Sequence, residues 1–310
     1  MRRVQATGGG TGGGLTTLRK TFGEELRRWR TKRGRAQLEL GLRAGYSQRH
    51  ISFLERGRSQ PSRTTVLDLA EALEIPLADR NALLQSAGYA PIFTAEPLDG
   101  DRLRLAVESF EEILKSHRPF LAFVVDRAWS LYASNENGLA FFGRMLDRPL
   151  SFDAEAPPNI LQLCLSPEGL RPRIRNWPSF ARNMLSHLKR DLDFDGTNGR
   201  LQSLVAQLES DPELSAHEPS EAWPASDPFS LVEIEGIPEL GAGARLRMFS
   251  MTSQFGNPLD STLSELRIET FLPADGATRA ALVALDAELE AEPARHGGAA
   301  VHRPVTWLRS

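Results

Sequence analysis

The residue types best suited to chemistry lie in the stretch QLELGLRAGYSQRHISFLERGRSQPS, residues 37–62, and their chemistry is recognition. Gln48, Arg49 and His50 follow Ser47, a residue type that often caps a helix by accepting from backbone N–H groups two or three positions on. Amide, guanidinium and imidazole groups at the start of a helix can donate hydrogen bonds to base edges. The spacing therefore predicts a helix that meets DNA with its N-terminal end.

Two short helices must position these side chains. Three leucines at 38, 40 and 42 begin the first helix, and Gly45 breaks the chain before the second. In the second helix Ile51 and Leu54 are three residues apart and share one inward face. Two helices joined by a tight glycine turn are typical of a helix-turn-helix, whose second helix enters the major groove.

The charge distribution supports the same prediction. Residues 15–64 hold 13 Lys and Arg against 4 Asp and Glu, a local charge of +9, whereas residues 65–310 carry −14. A basic module joined to an acidic body suits nucleic-acid binding. A solvated basic face without a partner is the alternative, and the helix-turn-helix spacing makes it the weaker one.

Other kinds of chemistry find little support. The sequence contains no HExxH, GxSxG, CxxC or P-loop motif, and its six histidines show no metal-ligand spacing. We therefore expect no enzyme activity, no metal and no cofactor. Cys164, the one cysteine of the sequence, is expected to be a small core residue. Because a single cysteine cannot form an internal disulfide, the sequence fits a reducing cytoplasm. Neither a signal-peptide core nor a membrane-spanning apolar run is visible, so we expect a cytoplasmic protein without membrane contact.

The chain begins with a Gly-rich tail, residues 1–14, which we expect to be disordered. A stripe of Leu18, Phe22, Leu26 and Trp29 then predicts a helix from about 15 to 32. Further helices are expected over 37–44, 47–55, 64–74 and 77–87. Five short helices predict a compact all-α domain over residues 15–92.

The residues Gln37, Gly45, Ser47-Gln48, Ile51-Ser52, Leu54-Glu55, Gly57-Arg58 and Pro61-Ser62 resemble the helix-turn-helix of the XRE/Cro-repressor family. The resemblance implies that Arg30 pairs with Glu55, that Gln37 meets a phosphate, and that Gln48 and Arg49 face bases. The predicted DNA-binding set is Gln37, Ser47, Gln48, Arg49, His50, Ser52 and Arg58. Ala36 replaces the family's usual capping residue and Arg35 an apolar one, which predicts a frayed start of the first motif helix.

A linker and a connecting helix follow over residues 93–118. The helix, about 101–116, could be a spacer, a dimer seam or part of a second core. Within residues 119–290, strand patterns alternate with helical patterns. The first of these are a hairpin at 120–134 and a helix over Glu136–Leu146. Helical pattern returns over 170–192, broken at Pro172 and Pro178. We expect Pro-rich loops at 147–160 and 210–228, a helix at 201–209, strands at 229–235, 245–255 and 263–272, a closing helix at 274–291 and a flexible tail over 291–310.

This order predicts an α+β domain with an antiparallel sheet of about five strands and helices over one face. Trp129 with Asn135, and the segments 165–177 and 254–275, resemble the MmyB-type ligand-binding domain that follows an XRE-type reader in many regulators. Ser166 and Asn257 depart from its pattern. The resemblance implies a PAS-like fold and a fatty-acid-like ligand. The expected ligand-binding residues are Trp129, Tyr132, Asn135, Phe142, Arg173, Asn176, Trp177, Phe249 and Phe255.

Three classes of function remain open at this point. The first, which we favour, is a transcription regulator that binds double-stranded DNA as a homodimer and responds to a small apolar ligand. In the second, the C-terminal domain serves only dimerisation or partner recruitment. The third is an enzyme with an accessory DNA reader, for which no acid, base or nucleophile set is visible.

Overall fold

The computed structural model describes residues 21–98, 100–146, 158–194, 198–215, 231–235, 245–256, 258–295 and 305–307. Residues 1–14, which we expect to be disordered, lie outside these ranges. Most of the two expected Pro-rich loops lies outside them as well. The chain divides into two compact units, one of residues 1–73 and 80–91, the other of residues 74–79 and 92–310.

The N-terminal region is helical, as predicted. Its helices are α1 (Phe22–Lys32), α2 (Gln37–Ala44), α3 (Gln48–Glu55), α4 (Arg63–Ala72) and α5 (Leu77–Ser86). Thr21 and Glu24 form a capping box at the start of α1, each side chain meeting the other residue's backbone N–H. Ala36 provides no side-chain cap for α2, as its residue type predicts, and the helix begins at Gln37.

Apolar stripes hold these helices together. Leu26 and Trp29 of α1, Leu40 of α2, and Ile51 and Leu54 of α3 are all buried. The spacing placed the residues of α1 and α3 inward, whereas of the three leucines of α2 only Leu40 is buried and the other two, Leu38 and Leu42, are exposed. Burial of the stripes against one another fixes the face that each helix presents to solvent, and for α3 that is the polar face.

The second unit is built on a six-stranded antiparallel sheet of order β3-β4-β5-β1-β2-β6. Its strands are β1 (Ala122–Val125), β2 (Leu131–Asn135), β3 (Leu231–Glu235), β4 (Arg245–Ser253), β5 (Arg267–Pro273) and β6 (Val305–Trp307). The sixth strand pairs with the edge of β2, so part of the tail expected to be flexible is ordered.

Helices cover both faces of this sheet, whereas the sequence led us to expect them on one. They are α6 (Arg104–Ser116), α7 (Glu136–Leu146), α8 (Ile160–Leu165), α9 (Trp177–Phe194), α10 (Gly199–Glu209), α11 (Pro212–Ser215), α12 (Ser261–Glu265) and α13 (Gly276–Arg295). In β1, Phe123 and Val125 join the larger core, while Ala122 and Val124 pack with Phe110 of α6. The connecting helix is therefore part of the second core.

Two boundaries were predicted wrongly. Pro178 is the second residue of α9 and does not interrupt it, because the first turn of a helix needs no N–H donor there. Residues 263–265 belong to α12, whose N-cap Asp260 accepts from the N–H groups of Thr262 and Leu263, and the strand starts only at Arg267.

Candidate functional site

Helix α3 presents the predicted DNA-reading residues. The Ser47 hydroxyl accepts from the backbone N–H of His50 at 3.2 Å and fixes the start of the helix. Gln48 and Arg49 are exposed, and the buried Ile51 and Leu54 lie on the opposite side. The helix therefore offers an amide and a guanidinium to solvent at its N-terminal end, as a major-groove reader requires.

A buried ion pair anchors the other end of α3. Nε and Nη2 of Arg30 lie 2.5 and 3.1 Å from the two Glu55 carboxylate oxygens, and Nη1 donates to the backbone oxygen of Arg35 at 2.7 Å. The pair that the family resemblance implied is thus confirmed. Gln37 also donates to Glu55, at 2.8 Å, so its side chain is already held within the unit. Its contact with a phosphate stays a prediction.

The other predicted DNA-binding residues differ in whether their side chains contact neighbouring side chains. Arg58 is exposed. The Arg49 guanidinium lies 5.1 Å from the centre of the Phe53 ring, the His50 ring 5.4 Å from that of Tyr46, and the Ser52 hydroxyl accepts from Arg56 at 2.7 Å. Stacking on Phe53 limits the rotamers of Arg49, which lowers the entropy that it would lose on DNA.

Two glycines let the helices approach closely, and the sequence alone did not single them out for this role. A Cβ atom on Gly23 of α1 would lie 2.6 Å from the backbone oxygen of Glu55. One on Gly41 of α2 would lie 2.5 Å from the backbone oxygen of Tyr46. Both distances are far below van der Waals contact, so any side chain at either position would displace the reader helix or its turn.

The second unit contains a mostly apolar cavity of about 150 Å³ between the sheet and its helices. Strand alternation selects the sheet residues, since every second side chain faces the same side. From the sheet the apolar lining comprises Phe123, Val232, Ile234, Met248 and Phe271, and Leu121 joins them from the position before β1. From the helices it includes Phe141, Phe142, Ile160, Leu161, Cys164 and Phe180.

One end of the cavity is polar, and none of its residues was predicted. It is lined by Ser250, Thr252, Arg267, Glu269 and His187. The signal lies in strand alternation: the first four residues share the cavity face of β4 and β5, where Thr252 is directly opposite Glu269. His187, Ser250 and Thr252 are exposed, which marks the side where the described cavity wall meets solvent.

Arg267 and Glu269 form a buried charged cluster at this end. Arg267 Nη1 donates to Asp191 at 3.2 Å, and its guanidinium lies 5.0 Å from the Trp129 ring centre. Glu269 is 2% exposed and accepts from the Thr252 hydroxyl at 2.8 Å. Burial raises the pKa of the Glu269 carboxyl, although Arg267 and the hydroxyls of Thr252 and Ser250 oppose that shift.

Three buried polar atoms in this cluster have no hydrogen-bond partner among the described residues. They are Trp129 Nε1, Arg267 Nε and Glu269 Oε2. Arg267 Nε lies 3.5 Å from Glu269 Oε1 without forming a hydrogen bond. Trp129 also adopts a φ of 65°, a left-handed conformation that costs a residue with a side chain about 1–2 kcal/mol. Buried polar atoms are ordinarily hydrogen-bonded, so water or a bound group is the expected partner of these three atoms.

Of the nine residues predicted to bind ligand, Trp129 and Phe142 line the cavity. Tyr132 packs in the core on the opposite face of the sheet. Phe249 is offset by one residue from the β4 side chains that line the cavity, and Phe255 is exposed, with its ring 5.2 Å from that of Phe110.

The predicted polar residues are occupied by the fold and do not line the cavity. Asn135 is fully buried, accepts from the N–H groups of Ala122 and Gly138 and donates to two backbone oxygens. Asn176 bridges to the backbone of β3 through Leu231 and Glu233. Two further residues lie outside the lining, Arg173 in a 3₁₀ turn and Trp177, whose indole N–H donates to Asp211.

The start of the predicted linker is bound to the second unit. Asp260 accepts from the Thr94 hydroxyl at 2.9 Å and from the Glu96 N–H at 3.1 Å. The backbone oxygen of Thr94 accepts from both the N–H and the hydroxyl of Ser261. Residues 94–96 are therefore fixed at the N-terminus of α12, the helix that leads into β5 and the polar end of the cavity.

Within the described ranges no group of three or more His, Cys, Asp or Glu residues could hold a metal ion. Helices long and apolar enough to cross a bilayer are likewise absent from the described residues.

A helix-turn-helix unit followed by an α+β domain with an internal cavity defines a class of DNA-binding regulators. Residues 26–79 match the helix-turn-helix family, and residues 106–285 match the MmyB-like transcription regulator ligand binding domain. The chain belongs to the family of MmyB-like transcription regulators. Over 58 residues the chain is 41% identical to an uncharacterized HTH-type transcriptional regulator, y4dJ, of Sinorhizobium fredii. The matched stretch covers 19% of this chain and 75% of that protein.

Proposed function

We propose that this regulator binds a fatty-acid-like molecule in the cavity of its PAS-like second unit, without catalysing a reaction, and that binding changes its affinity for double-stranded DNA. The observation that carries the proposal is an apolar cavity with a polar end. A small-molecule site commonly combines an apolar lining with a few convergent polar groups.

The cavity volume suggests the length of the ligand. An engineered apolar cavity of about 150 Å³ takes benzene, so roughly six carbon atoms fit here while the lining keeps its positions. Octanoate is a suitable short probe, because its carboxyl carbon lies at the polar end and its other carbon atoms exceed that space by only about one. Longer chains would need lining side chains such as Met184 to move.

The test uses the full chain and a DNA site selected from a random library with the purified protein. Calorimetry measures octanoate binding, and fluorescence anisotropy measures DNA affinity with and without octanoate. We expect a several-fold change in DNA affinity, because couplings between sites are typically about 1–3 kcal/mol. Octanoate that neither binds nor alters DNA affinity would instead favour a domain for partner recruitment.

A matched pair of variants at Cys164 separates the cavity from the rest of the chain. Cys164→Met places a longer side chain in the lining and should weaken octanoate binding at least ten-fold, while DNA affinity without ligand is unchanged. Cys164→Ser conserves the size of the side chain and should keep octanoate binding. Equal octanoate affinities in the two variants would place the ligand elsewhere.

We further propose that the regulator acts in the cytoplasm as a homodimer. One recognition helix reads few base pairs, and dimers gain affinity from two half-sites about 34–36 Å apart. Helix α6 exposes two apolar side chains, Leu105 at 75% and Ile113 at 42%. Leu105→Glu should lower the dimer fraction in light scattering at tens of micromolar. A wild-type protein that is monomeric there, and also on DNA, would contradict the proposal.

A further inference from the structure

The polar end of the cavity is already rich in negative charge. The guanidinium of Arg267 faces two carboxylates: Asp191 accepts from its Nη1 at 3.2 Å, and an oxygen of Glu269 lies 3.5 Å from its Nε. Arg127 brings a second cation, but Glu265 lies 3.0 Å from it. A ligand that entered with an ionised carboxylate would add a further anion where the cations already face carboxylates.

The unpartnered atoms specify what the ligand must offer. Glu269 Oε2 needs a donor, whereas Arg267 Nε and Trp129 Nε1 need an acceptor. A hydroxyl, a carboxamide or a protonated carboxyl supplies both within one group. A carboxylate supplies acceptors only, and it would leave Oε2 unpartnered beside a like charge, which is costly in a buried site.

We propose that the cavity binds the polar group of its ligand in uncharged form, with Glu269 as the acceptor and Arg267 and Trp129 as donors. This proposal rests on the proposed function. An alcohol or amide binds as it is. A fatty acid binds with one proton taken up from solvent and shared between its carboxyl group and Glu269. The site therefore selects a donor–acceptor group and discriminates against an anion.

Two other titratable groups near this end keep one state between pH 7 and 8.5. Partial desolvation of the ring lowers the pKa of His187, so the imidazole is neutral. Burial raises the pKa of the Cys164 thiol to about 12, so it stays protonated. The titratable and charged groups that surround Glu269 are His187, Arg190 and Asp191 on α9, Cys164 on α8, Arg127 before β2, Glu265 on α12 and Arg267 on β5.

The experiment measures proton uptake directly. Calorimetry of the full chain with octanoate and with octanamide, at pH 8 in two buffers of different ionisation enthalpy, gives the number of protons bound per ligand. We expect about one proton for octanoate and none for octanamide. By linkage, octanoate affinity should fall up to ten-fold per pH unit from 7 to 8.5, while octanamide affinity stays constant.

Glu269→Gln tests the assignment of the proton. With a neutral amide at this position, octanoate should bind without proton uptake, at least ten-fold more tightly at pH 8 than in the wild type, and octanamide should still bind. Glu288→Gln on α13, whose carboxylate pairs with Arg144 outside the cavity lining, is the matched control and should behave as the wild type.

The outcomes separate this proposal from the proposed function. Binding of neither ligand overturns the proposed function. Octanoate binding without proton uptake overturns the uncharged-group proposal and leaves the cavity function intact. Proton uptake that persists in Glu269→Gln assigns the proton to another group and also overturns it.

Discussion

The guanidinium of Arg30 in α1 holds the carboxylate of Glu55, at the end of α3, through two nitrogen–oxygen contacts of 2.5 and 3.1 Å. The Glu55 side chain is 4% exposed, and although the neutral amide of Gln37 also donates to it, Arg30 is the cation that balances its charge. Arg30→Met should destabilise the N-terminal unit by about 3–5 kcal/mol, because it leaves a buried charge unpaired. Hydrogen exchange of peptides from residues 22–55, measured on the full chain, reports the loss.

The double variant Arg30→Met with Glu55→Met is the control for that prediction. Replacing both partners of a buried pair by apolar residues is often nearly neutral. We therefore expect it to recover most of the lost protection. A double variant as unstable as Arg30→Met would show that packing of the arginine stem, and not its charge, holds α3.

Arg49 should determine sequence preference. Its exposed guanidinium stands at the N-terminal end of α3, where a bidentate contact with guanine contributes about 1–3 kcal/mol of discrimination. Arg49→Ala should flatten the difference in affinity between the selected site and its single-base variants in anisotropy titrations. Arg27→Ala, an equal loss of charge on α1, should weaken binding to all sites alike. A preserved preference in Arg49→Ala would remove this residue from the base-reading set.

Gly41 and Gly45 are predicted to respond differently to the same substitution. Gly41→Ala would place a Cβ 2.5 Å from the backbone oxygen of Tyr46, which only a shift of the turn can relieve. Gly45 has a φ of 76° with open space around it, so Gly45→Ala costs only about 1–2 kcal/mol of backbone strain. DNA binding should fail in Gly41→Ala and persist in Gly45→Ala at 10 °C. Equal affinities would mean that the turn adapts to the added methyl.

The sequence predicted the buried face of α3 well and the cavity lining poorly, for a physical reason. The spacing of apolar residues along a helix specifies which residues are apolar and also which face of the helix they share. Ile51 and Leu54 were therefore placed correctly on the buried face of α3. In β4 we selected Phe249 for its aromatic ring, although alternation gives the cavity face to its neighbours Met248 and Ser250. The type of a residue indicates whether its side chain could contact a ligand. Its position in the strand determines whether the side chain lies on the cavity face of the sheet or on the opposite face.

Some features depend on the folded context alone. Val305–Trp307 is a three-residue strand without a pattern of its own, and it forms because β2 offers an unpaired edge. Asn135 was expected to contact the ligand because, with Trp129, it belongs to the residues that resemble the MmyB-type domain. Its amide instead satisfies buried backbone groups of α6, β1 and α7, which no local pattern announces.

Asp260 should control the segment that precedes α6. Asp260→Ala removes the acceptor for Thr94 and Glu96 together with the cap of α12, which contributes about 1 kcal/mol. Peptides covering residues 92–98 should exchange hydrogen faster, and octanoate should alter DNA affinity less. Asp275→Ala removes an acceptor for a backbone N–H at the start of α13 and is the matched control. Unchanged exchange in Asp260→Ala would show that other contacts hold the segment.

Strand β1 has no solvent face: Phe123 lines the cavity, while its neighbours Ala122 and Val124 support Phe110 of α6 on the other side. Adjacent side chains on one strand share a rigid backbone, so a ligand that pushes Phe123 aside must also displace the surface on which α6 rests. The same constraint applies over evolutionary time, because a change of volume on either side of β1 requires compensation on the other. The ligand-contacting wall and the helix behind it are thus expected to vary together among relatives.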